Sequence, residues 1–161
     1  MAEPRPRFIT PEGFARLRAE YEELFGVERP KMVEVVSWAA SLGDRSENAD
    51  YLYGKKRLRE IDRRLTYLSR IMKAAKVVDP RAQAARDEVR FGATVELADE
   101  DDNRRTVTIV GDDETDASSG EIGWSAPLSR ALIGGRIGDE RIVRLPAGEK
   151  SYEVIAITYP D

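Results

Sequence analysis

The chain has 161 residues, of which 41% are hydrophobic and 35% charged, and its formal net charge is -4. It has no cysteine and no histidine, which excludes disulfides, thiol chemistry, histidine general bases and metal sites built from those ligands. Any chemistry must use carboxylates, hydroxyls and cations, and carboxylates suit hard cations such as Mg²⁺. There is no signal-peptide layout and no apolar run of about 18 residues, so we expect a soluble cytoplasmic protein.

The charge is distributed unevenly along the chain. Residues 1–79 contain 16 Lys and Arg against 13 Asp and Glu, whereas residues 80–161 contain 10 against 17. The net charges are therefore +3 and -7, which indicates that the two halves have different roles. We expect two domains with these bounds.

The first predicted element is a long helix that begins near Pro11. Thr10 can cap it, and proline suits the first helical position because its missing N–H is no loss there. Apolar residues then recur at helical spacing. Pro30 interrupts the hydrogen-bond ladder and the stripe slips by one residue beside it, which predicts a kink or stutter. Gly43 marks the end of this helix.

The second helix shows a heptad-like stripe from Tyr51 to Ala75, which includes Leu58, Ile61 and Leu65. Two long helices joined by a few residues must fold back on each other. The pattern therefore predicts an antiparallel α-helical coiled coil in residues 1–79.

Two acids, Asp44 and Glu47, lie at the connection between the helices. One interpretation is a capping box, in which an Asp-x-x-Glu pattern satisfies free N–H groups at the start of a helix. The other is that two carboxylates at an exposed end hold a divalent cation on another molecule's substrate. The two interpretations are compatible.

The second helix is also strongly basic. Residues 54–76 carry nine Lys and Arg but only two acids, Glu60 and Asp62. Such a run is either the solvated face of a coiled coil or a track for phosphates. Tyr51 and Tyr53 flank the connection, where packing is a more common role for tyrosine than base stacking.

After Pro80 the pattern changes to alternating β-branched residues, as in ATVEL, TVTIVG and DERIVRL, separated by turn-rich segments. One short helix is predicted at PLSRALIG, opened by Pro127 and closed by Gly134. The fold class is therefore α+β, with a helical domain followed by an antiparallel β-sheet domain with one short helix.

The segment WAASLGDRSENADYLYGKKRLREIDRR, Trp38–Arg64, resembles the signature of the Gre family of bacterial transcript cleavage factors. Arg45 and Asp50 within it resemble the GreB branch. The resemblance extends to the opening helix, to FGATVELAD and to the C-terminal SAPLSRALIGGRIGDERIVRLPAGEKSYEVIAI. It implies an FKBP-like C-terminal domain that binds RNA polymerase.

The resemblance also implies a mechanism. The coiled coil would enter the secondary channel of bacterial RNA polymerase and stimulate cleavage of backtracked RNA, so that arrested complexes resume. Asp44 and Glu47 would be metal ligands for an Mg²⁺ ion shared with the polymerase. Ser46, between them, is either a further catalytic residue or a helix cap. The protein would supply carboxylates to the polymerase without being an enzyme itself.

The resemblance implies two further contact surfaces. The cations expected to contact RNA are Lys55, Lys56, Arg57, Arg59, Arg63 and Arg64. The residues expected to contact polymerase are Trp124, Ser125 and Pro127, although the Asp-Ser-Pro of many GreB-type loops reads Ser125-Ala126-Pro127 here. A monomer is the simplest expectation.

Three alternatives are weighed against this mechanism. A channel-binding regulator without cleavage activity would lose or move the acids at the connection, and both are present. A peptidyl-prolyl isomerase would need an aromatic-lined pocket, whereas the aromatics of the second half are scattered. A free-standing nuclease would need more than two exposed acids to enclose a metal.

Overall fold

The structure, a computed structural model, describes residues 6–43 and 47–161. The predicted site residues Asp44 and Ser46 therefore lie outside the described residues. The α-helices are α1 (Pro11–Glu23), α2 (Arg29–Ala40), α3 (Ala49–Ala74) and α4 (Pro127–Leu132). The strands are β1 (Arg7–Ile9), β2 (Ala75–Val77), β3 (Thr94–Ala98), β4 (Arg104–Val110), β5 (Glu121–Gly123), β6 (Glu140–Leu145) and β7 (Gly148–Thr158).

The chain divides into two compact units. The helical unit is Phe14–Ala74, and the sheet unit combines the described residues up to Gly13 with Ala75–Asp161. β1 and β2 form a parallel pair in which Arg7 lies opposite Ala75, so the start of the chain joins the sheet unit. The bounds of these compact units therefore differ from those of the two predicted domains, residues 1–79 and 80–161. The difference arises because β1 pairs with a segment far along the chain, which local patterns do not report.

The first helical arm begins as predicted and contains a π-helical turn. Thr10 Oγ1 accepts a hydrogen bond from Gly13 N at 3.0 Å, and Pro11 is the first residue of α1. Between α1 and α2, Leu24–Glu28 form the π-helical turn, with Arg29 N–H donating to the carbonyl of Leu24. Pro30 has no N–H to donate and its ring crowds the preceding turn, so one extra residue is accommodated there. The predicted interruption is therefore confirmed as a π-helical turn just before Pro30.

The helical unit is an antiparallel hairpin of this arm and α3. Arg64 pairs with Glu20, and Arg57 pairs with Glu28, so the two arms run in opposite directions. The apolar stripe of α3 faces the partner arm, because Ile61 and Leu68 are fully buried. The predicted helical hairpin is confirmed.

The sheet unit contains a five-stranded sheet in the order β5-β4-β3-β7-β6. Neighbouring strands are antiparallel except β4 and β5, which pair in parallel with Thr108 opposite Glu121. The expected all-antiparallel sheet is therefore mixed, because residues 111–120 carry the chain back before β5 begins. The core includes the buried side chains Val89, Phe91, Val95, Leu97, Val107, Ile109, Leu132, Val143 and Val154.

The α+β class is confirmed, with a helical hairpin and a separate sheet unit. The short helix predicted at PLSRALIG is α4, which begins at Pro127. Among the described residues, no helix is long and apolar enough to span a membrane.

Candidate functional site

The connection between α2 and α3 is closed by Asn48. Its side-chain amide nitrogen donates to the carbonyl of Ala39 at 2.8 Å, which ties the start of α3 to the end of α2. Its side-chain oxygen accepts a hydrogen bond from Tyr51 N at 3.1 Å. Since α3 begins at Ala49, Asn48 is the N-cap residue and Tyr51 is the third residue of the helix.

This geometry leaves Glu47 outside the helix. A capping box would place the glutamate three residues inside the helix, whereas Glu47 precedes the N-cap residue. The capping-box interpretation of Glu47 is therefore wrong, because asparagine takes the capping position one residue later. The Glu47 side chain is exposed and has no hydrogen bond or ion pair with another described residue.

The described residues do not form a metal site by themselves. Among them, no group of three or more acidic side chains is close enough together to hold a metal ion. Glu47 offers one carboxylate, which is an oxygen ligand of the kind Mg²⁺ binds. Its chemistry fits a site to which other groups, on this chain or on a partner, contribute the remaining ligands.

The basic side chains of α3 fall into two groups. Arg57 donates through Nε to Glu28 at 2.7 Å and through a second nitrogen to Glu60 at 3.3 Å. Arg64 forms a two-bond pair with the carboxylate of Glu20, at 2.5 and 2.9 Å. These two arginines are engaged in ion pairs of the hairpin.

The other four predicted cations have no such partners. Within residues 6–43 and 47–161, no ion pair involves Lys55, Lys56, Arg59 or Arg63. The ammonium of Lys55 lies 5.8 Å from the centre of the Tyr51 ring. This cation–π contact does not neutralise the charge of Lys55. These four cations are available for an anionic partner.

The ion pairs also affect the titration of the hairpin acids. The hydrogen bond from Arg64 is the main cause that lowers the pKa of Glu20 below its ordinary value of 4.5. In the same way, the hydrogen bond with Glu28 raises the pKa of Arg57. Both shifts favour the charged forms, so the pairs persist at neutral pH. Because the four side chains keep 31–46% of their surface exposed, each pair contributes only about 0–1 kcal/mol to stability.

The predicted polymerase-binding loop lies in the sheet unit. Trp124 is buried, and its ring centre lies 5.0 Å from that of Phe8. Ser125 and Pro127 are exposed, and Ser125 N donates to the Asp112 carboxylate at 2.9 Å. Trp124 therefore supports the loop from inside the unit, while Ser125 and Pro127 lie on the surface.

The helix that follows this loop is held at both ends. Ser129 Oγ donates to the carbonyl of Gly123 at 2.6 Å. Arg141 on β6 donates to the carbonyls of Ala131 and Ile133, at 2.6 and 3.1 Å, which satisfies the last turn of α4. Pro127, the first residue of α4, therefore lies on a helix that these hydrogen bonds fix to the sheet.

Sequence reasoning missed three residues that organise these features. Asn48 was detectable, since asparagine is a preferred N-cap residue and precedes the helical pattern directly. Glu20 and Glu28 were not detectable as partners of Arg64 and Arg57. Those pairs join residues 44 and 29 positions apart, and they depend on the register of the hairpin.

Comparison with known proteins decides the family. The family model for the transcription elongation factor N-terminal domain matches residues 7–77, and the one for the GreA/GreB C-terminal domain matches residues 83–159. Transcription elongation factor GreB of Neisseria meningitidis serogroup B is 47% identical over 99% of this chain and 98% of its own length. This chain belongs to the GreA/GreB family of transcription elongation factors. The resemblance of Trp38–Arg64 to the Gre signature is therefore confirmed.

Other members of the GreA/GreB family extend the comparison. Transcription elongation factor GreB of Pseudomonas aeruginosa is 52% identical over 94% of this chain and 90% of its own length. A solved structure described as the prokaryotic transcription elongation factor GreA/GreB from Nitrosomonas europaea is 23% identical, with a TM-score of 0.42. That match covers 94% of this chain and 98% of the solved one.

Proposed function

We propose that this elongation factor acts on bacterial RNA polymerase by inserting its helical hairpin into the secondary channel and stimulating cleavage of backtracked RNA. Family membership supports a role in transcription elongation. In this proposal the protein is a cofactor of the polymerase and supplies side chains to its active site. Cleavage removes the displaced 3′ segment, so the arrested complex resumes synthesis.

The observation that carries the proposal is the state of Glu47. Its carboxylate lies at the connection between α2 and α3, is exposed, and is not used for capping because Asn48 has that role. The capped start of α3 fixes the backbone next to Glu47, and no described cation neutralises the Glu47 carboxylate. Glu47 and Asp44 would together contribute oxygen ligands at the polymerase active site.

The metal would be shared with the polymerase. Bound Mg²⁺ supplies charge neutralisation and activates a water in phosphodiester hydrolysis. Glu47 and Asp44 would complete its ligands, and Ser46 would hydrogen-bond nearby. The donor set fits this role, because one or two carboxylates are typical protein ligands for Mg²⁺ when phosphates and waters complete the shell.

The unpaired cations of α3 support a contact with the displaced RNA. Lys55, Lys56, Arg59 and Arg63 are not neutralised by described acids, so phosphates can approach them without displacing an ion pair. Arg57 and Arg64 would contribute less, because their charges are already compensated. Pro127 and Ser125, on the surface of the sheet unit, would contact the polymerase outside the channel.

The test is RNA cleavage in a stalled, backtracked elongation complex. We expect the intact chain to release 3′ RNA fragments, and Asp44→Asn and Glu47→Gln each to abolish release while polymerase binding stays within about twofold. Glu22→Gln removes an exposed carboxylate elsewhere on the hairpin and should cleave normally. Cleavage that survives both changes at the connection would sink the proposal. Binding without cleavage by the intact chain would instead favour a channel-binding regulator.

A further inference from the structure

Three consecutive acids, Asp112, Asp113 and Glu114, follow β4, and they differ in how their oxygens are used. The carboxylate of Asp113 accepts two hydrogen bonds from the Arg7 guanidinium, both at 2.8 Å. Both oxygens of Glu114 accept hydrogen bonds from Thr10. These two acids therefore stabilise the sheet unit, whereas Asp112 is exposed and only one of its oxygens has a described partner.

Asp112 lies against the loop that is expected to contact polymerase. Its Oδ1 accepts the hydrogen bond from Ser125 N at 2.9 Å. A Cβ on Gly123 would lie 2.6 Å from the same oxygen, so the carboxylate reaches the loop because Gly123 has no side chain. Within residues 6–43 and 47–161, the Asp112 side chain makes no other hydrogen bond and no ion pair, so its Oδ2 can accept a bond from another molecule.

The loop has no acid of its own. Residues 124–128 read WSAPL, so Asp112 supplies the carboxylate that lies beside the loop. The cation nearest along the chain is Arg130, which is exposed and lies one helical turn after Pro127. In the described part of the chain, no ion pair involves Arg130. The surface therefore carries one charge of each sign, and a partner must match both.

A partner that covers Ser125 and Pro127 must also cover Asp112, because its Oδ1 is within hydrogen-bond distance of the loop backbone. Removing water from a carboxylate is strongly unfavourable unless a charge partner and hydrogen bonds replace that water. Ser125 N supplies one donor to Oδ1, which leaves Oδ2 to be satisfied by the partner. A Lys or Arg side chain satisfies it best, since it provides both a donor and the opposite charge.

We propose that Asp112 contacts the polymerase directly and pairs with a Lys or Arg side chain of the polymerase when the loop docks. The inference rests on the proposed function, in which Ser125 and Pro127 contact polymerase. It adds a residue that lies outside the loop sequence and that determines which surface the loop accepts.

The first test separates the charge of Asp112 from its hydrogen bond. Asp112→Asn keeps an oxygen that can accept from Ser125 N but removes the charge. We expect it to weaken binding to core RNA polymerase about tenfold at low salt and less at high salt, measured by fluorescence anisotropy of the labelled full-length chain. The melting temperature should not change, because the bond to Ser125 N is retained.

Asp101→Asn is the matched control for this substitution. Asp101 is also exposed, has no ion pair with a described residue, and lies in the turn at the other end of β4. Its replacement makes the same charge change on the sheet unit and should leave polymerase binding unaltered. An equal loss from both substitutions would show a general charge effect and would overturn the contact at Asp112.

The second test restores an acid on the loop itself. Ser125→Asp in the Asp112→Asn chain places a carboxylate beside the position of the lost one and should recover most of the lost binding. Ser125→Asn in the same chain has the same size without the charge and should not. Equal binding by these two double variants would contradict a contact that depends on charge.

The third test concerns Arg130 as an alternative partner of Asp112. Asp112→Asn should weaken binding by the same factor in an Arg130→Gln chain as in the unaltered chain, because the proposed cation belongs to the polymerase. If the effect of Asp112→Asn disappears once Arg130 is replaced, Asp112 pairs within its own chain and the proposal is overturned.

The outcomes separate this inference from the proposed function. If the unaltered chain does not bind polymerase, the proposed function fails and the contact at Asp112 fails with it. If the unaltered chain binds and Asp112→Asn binds equally well, only the contact at Asp112 is overturned.

Discussion

At the scale of single residues, Glu47 and Asn48 are adjacent, but only Asn48 stabilises the connection between α2 and α3 through its side chain. Asn48 makes one hydrogen bond to the last turn of α2 and one that caps α3, whereas Glu47 makes none with a described residue. The Asn48 side-chain amide therefore stabilises this connection, and the Glu47 carboxylate remains available to bind a metal ion. This separation makes the two roles measurable independently.

Asn48→Ala should destabilise the hairpin without removing the carboxylates. The loss of an N-cap costs about 0.5–2 kcal/mol, and the lost bond to the Ala39 carbonyl places this change in the upper part of that range. Glu47→Gln should leave the unfolding free energy within about 0.5 kcal/mol of the unaltered chain, as for other exposed sites. Urea unfolding followed by helical circular dichroism measures both. Equal destabilisation by the two changes would show that Glu47 is structural.

At the scale of elements, the hairpin contains two glycines with different surroundings. Gly54 is buried on α3, and a Cβ there would lie 2.7 Å from Val36 Cγ2. Gly26 is in the π-helical turn, and a Cβ there would meet nothing within 4 Å. Gly54 therefore allows the two arms to approach closely, whereas Gly26 makes no contact of this kind.

Gly54→Ala should therefore destabilise the hairpin even though alanine is the better helix former by about 1 kcal/mol. The branched side chain of Val36 has little freedom to move away, and overpacking costs about 1–3 kcal/mol. The net loss should be about 1 kcal/mol in thermal unfolding. Val36→Ala added to Gly54→Ala should recover part of it, as a double-mutant cycle would show.

Gly26→Ala is the control for this change. It should be neutral or stabilising by up to about 1 kcal/mol, because it gains helix propensity without a contact. A stabilising Gly54→Ala would contradict close packing at that position.

At the scale of the whole molecule, the sheet unit is assembled from both ends of the helical insertion. Phe8 on β1 packs on Trp124 and on Phe91, with ring centres 5.0 and 5.5 Å apart. The Glu114 carboxylate accepts hydrogen bonds from Thr10 N at 2.7 Å and from Gly111 N at 3.0 Å. Residues before α1 are thus part of the core and hydrogen bonding of the sheet unit.

A fragment of residues 80–161 should therefore be less stable than the same unit in the full chain. It lacks β1 and β2, and losing Phe8, which is partly buried against Phe91 and Trp124, costs up to about 3 kcal/mol. A chain in which residues 14–74 are replaced by a Gly/Ser linker keeps both strands and should unfold close to the sheet unit of the full chain. Hydrogen exchange of the Phe91 and Val95 amides compares the three proteins. Equal protection in the short fragment would show that β1 is dispensable.

The local features of the fold were readable from the amino-acid order. The start at Pro11, the interruption before Pro30 and the helix α4 at Pro127 depend on residues within one or two turns. Helical periodicity likewise identified the buried positions Ile61 and Leu65 on α3. The family followed from the long signature Trp38–Arg64, because its residue types and spacing are specific.

Other features required residues distant in the chain to meet. The pairing of β1 with β2 and the parallel pairing of β4 with β5 depend on backbone hydrogen bonds that no local pattern encodes. Which cations of α3 are neutralised depended on the register that sets Arg57 against Glu28. Local propensity acts over a few residues, whereas these properties arise from packing between segments, so they became visible only in the folded chain.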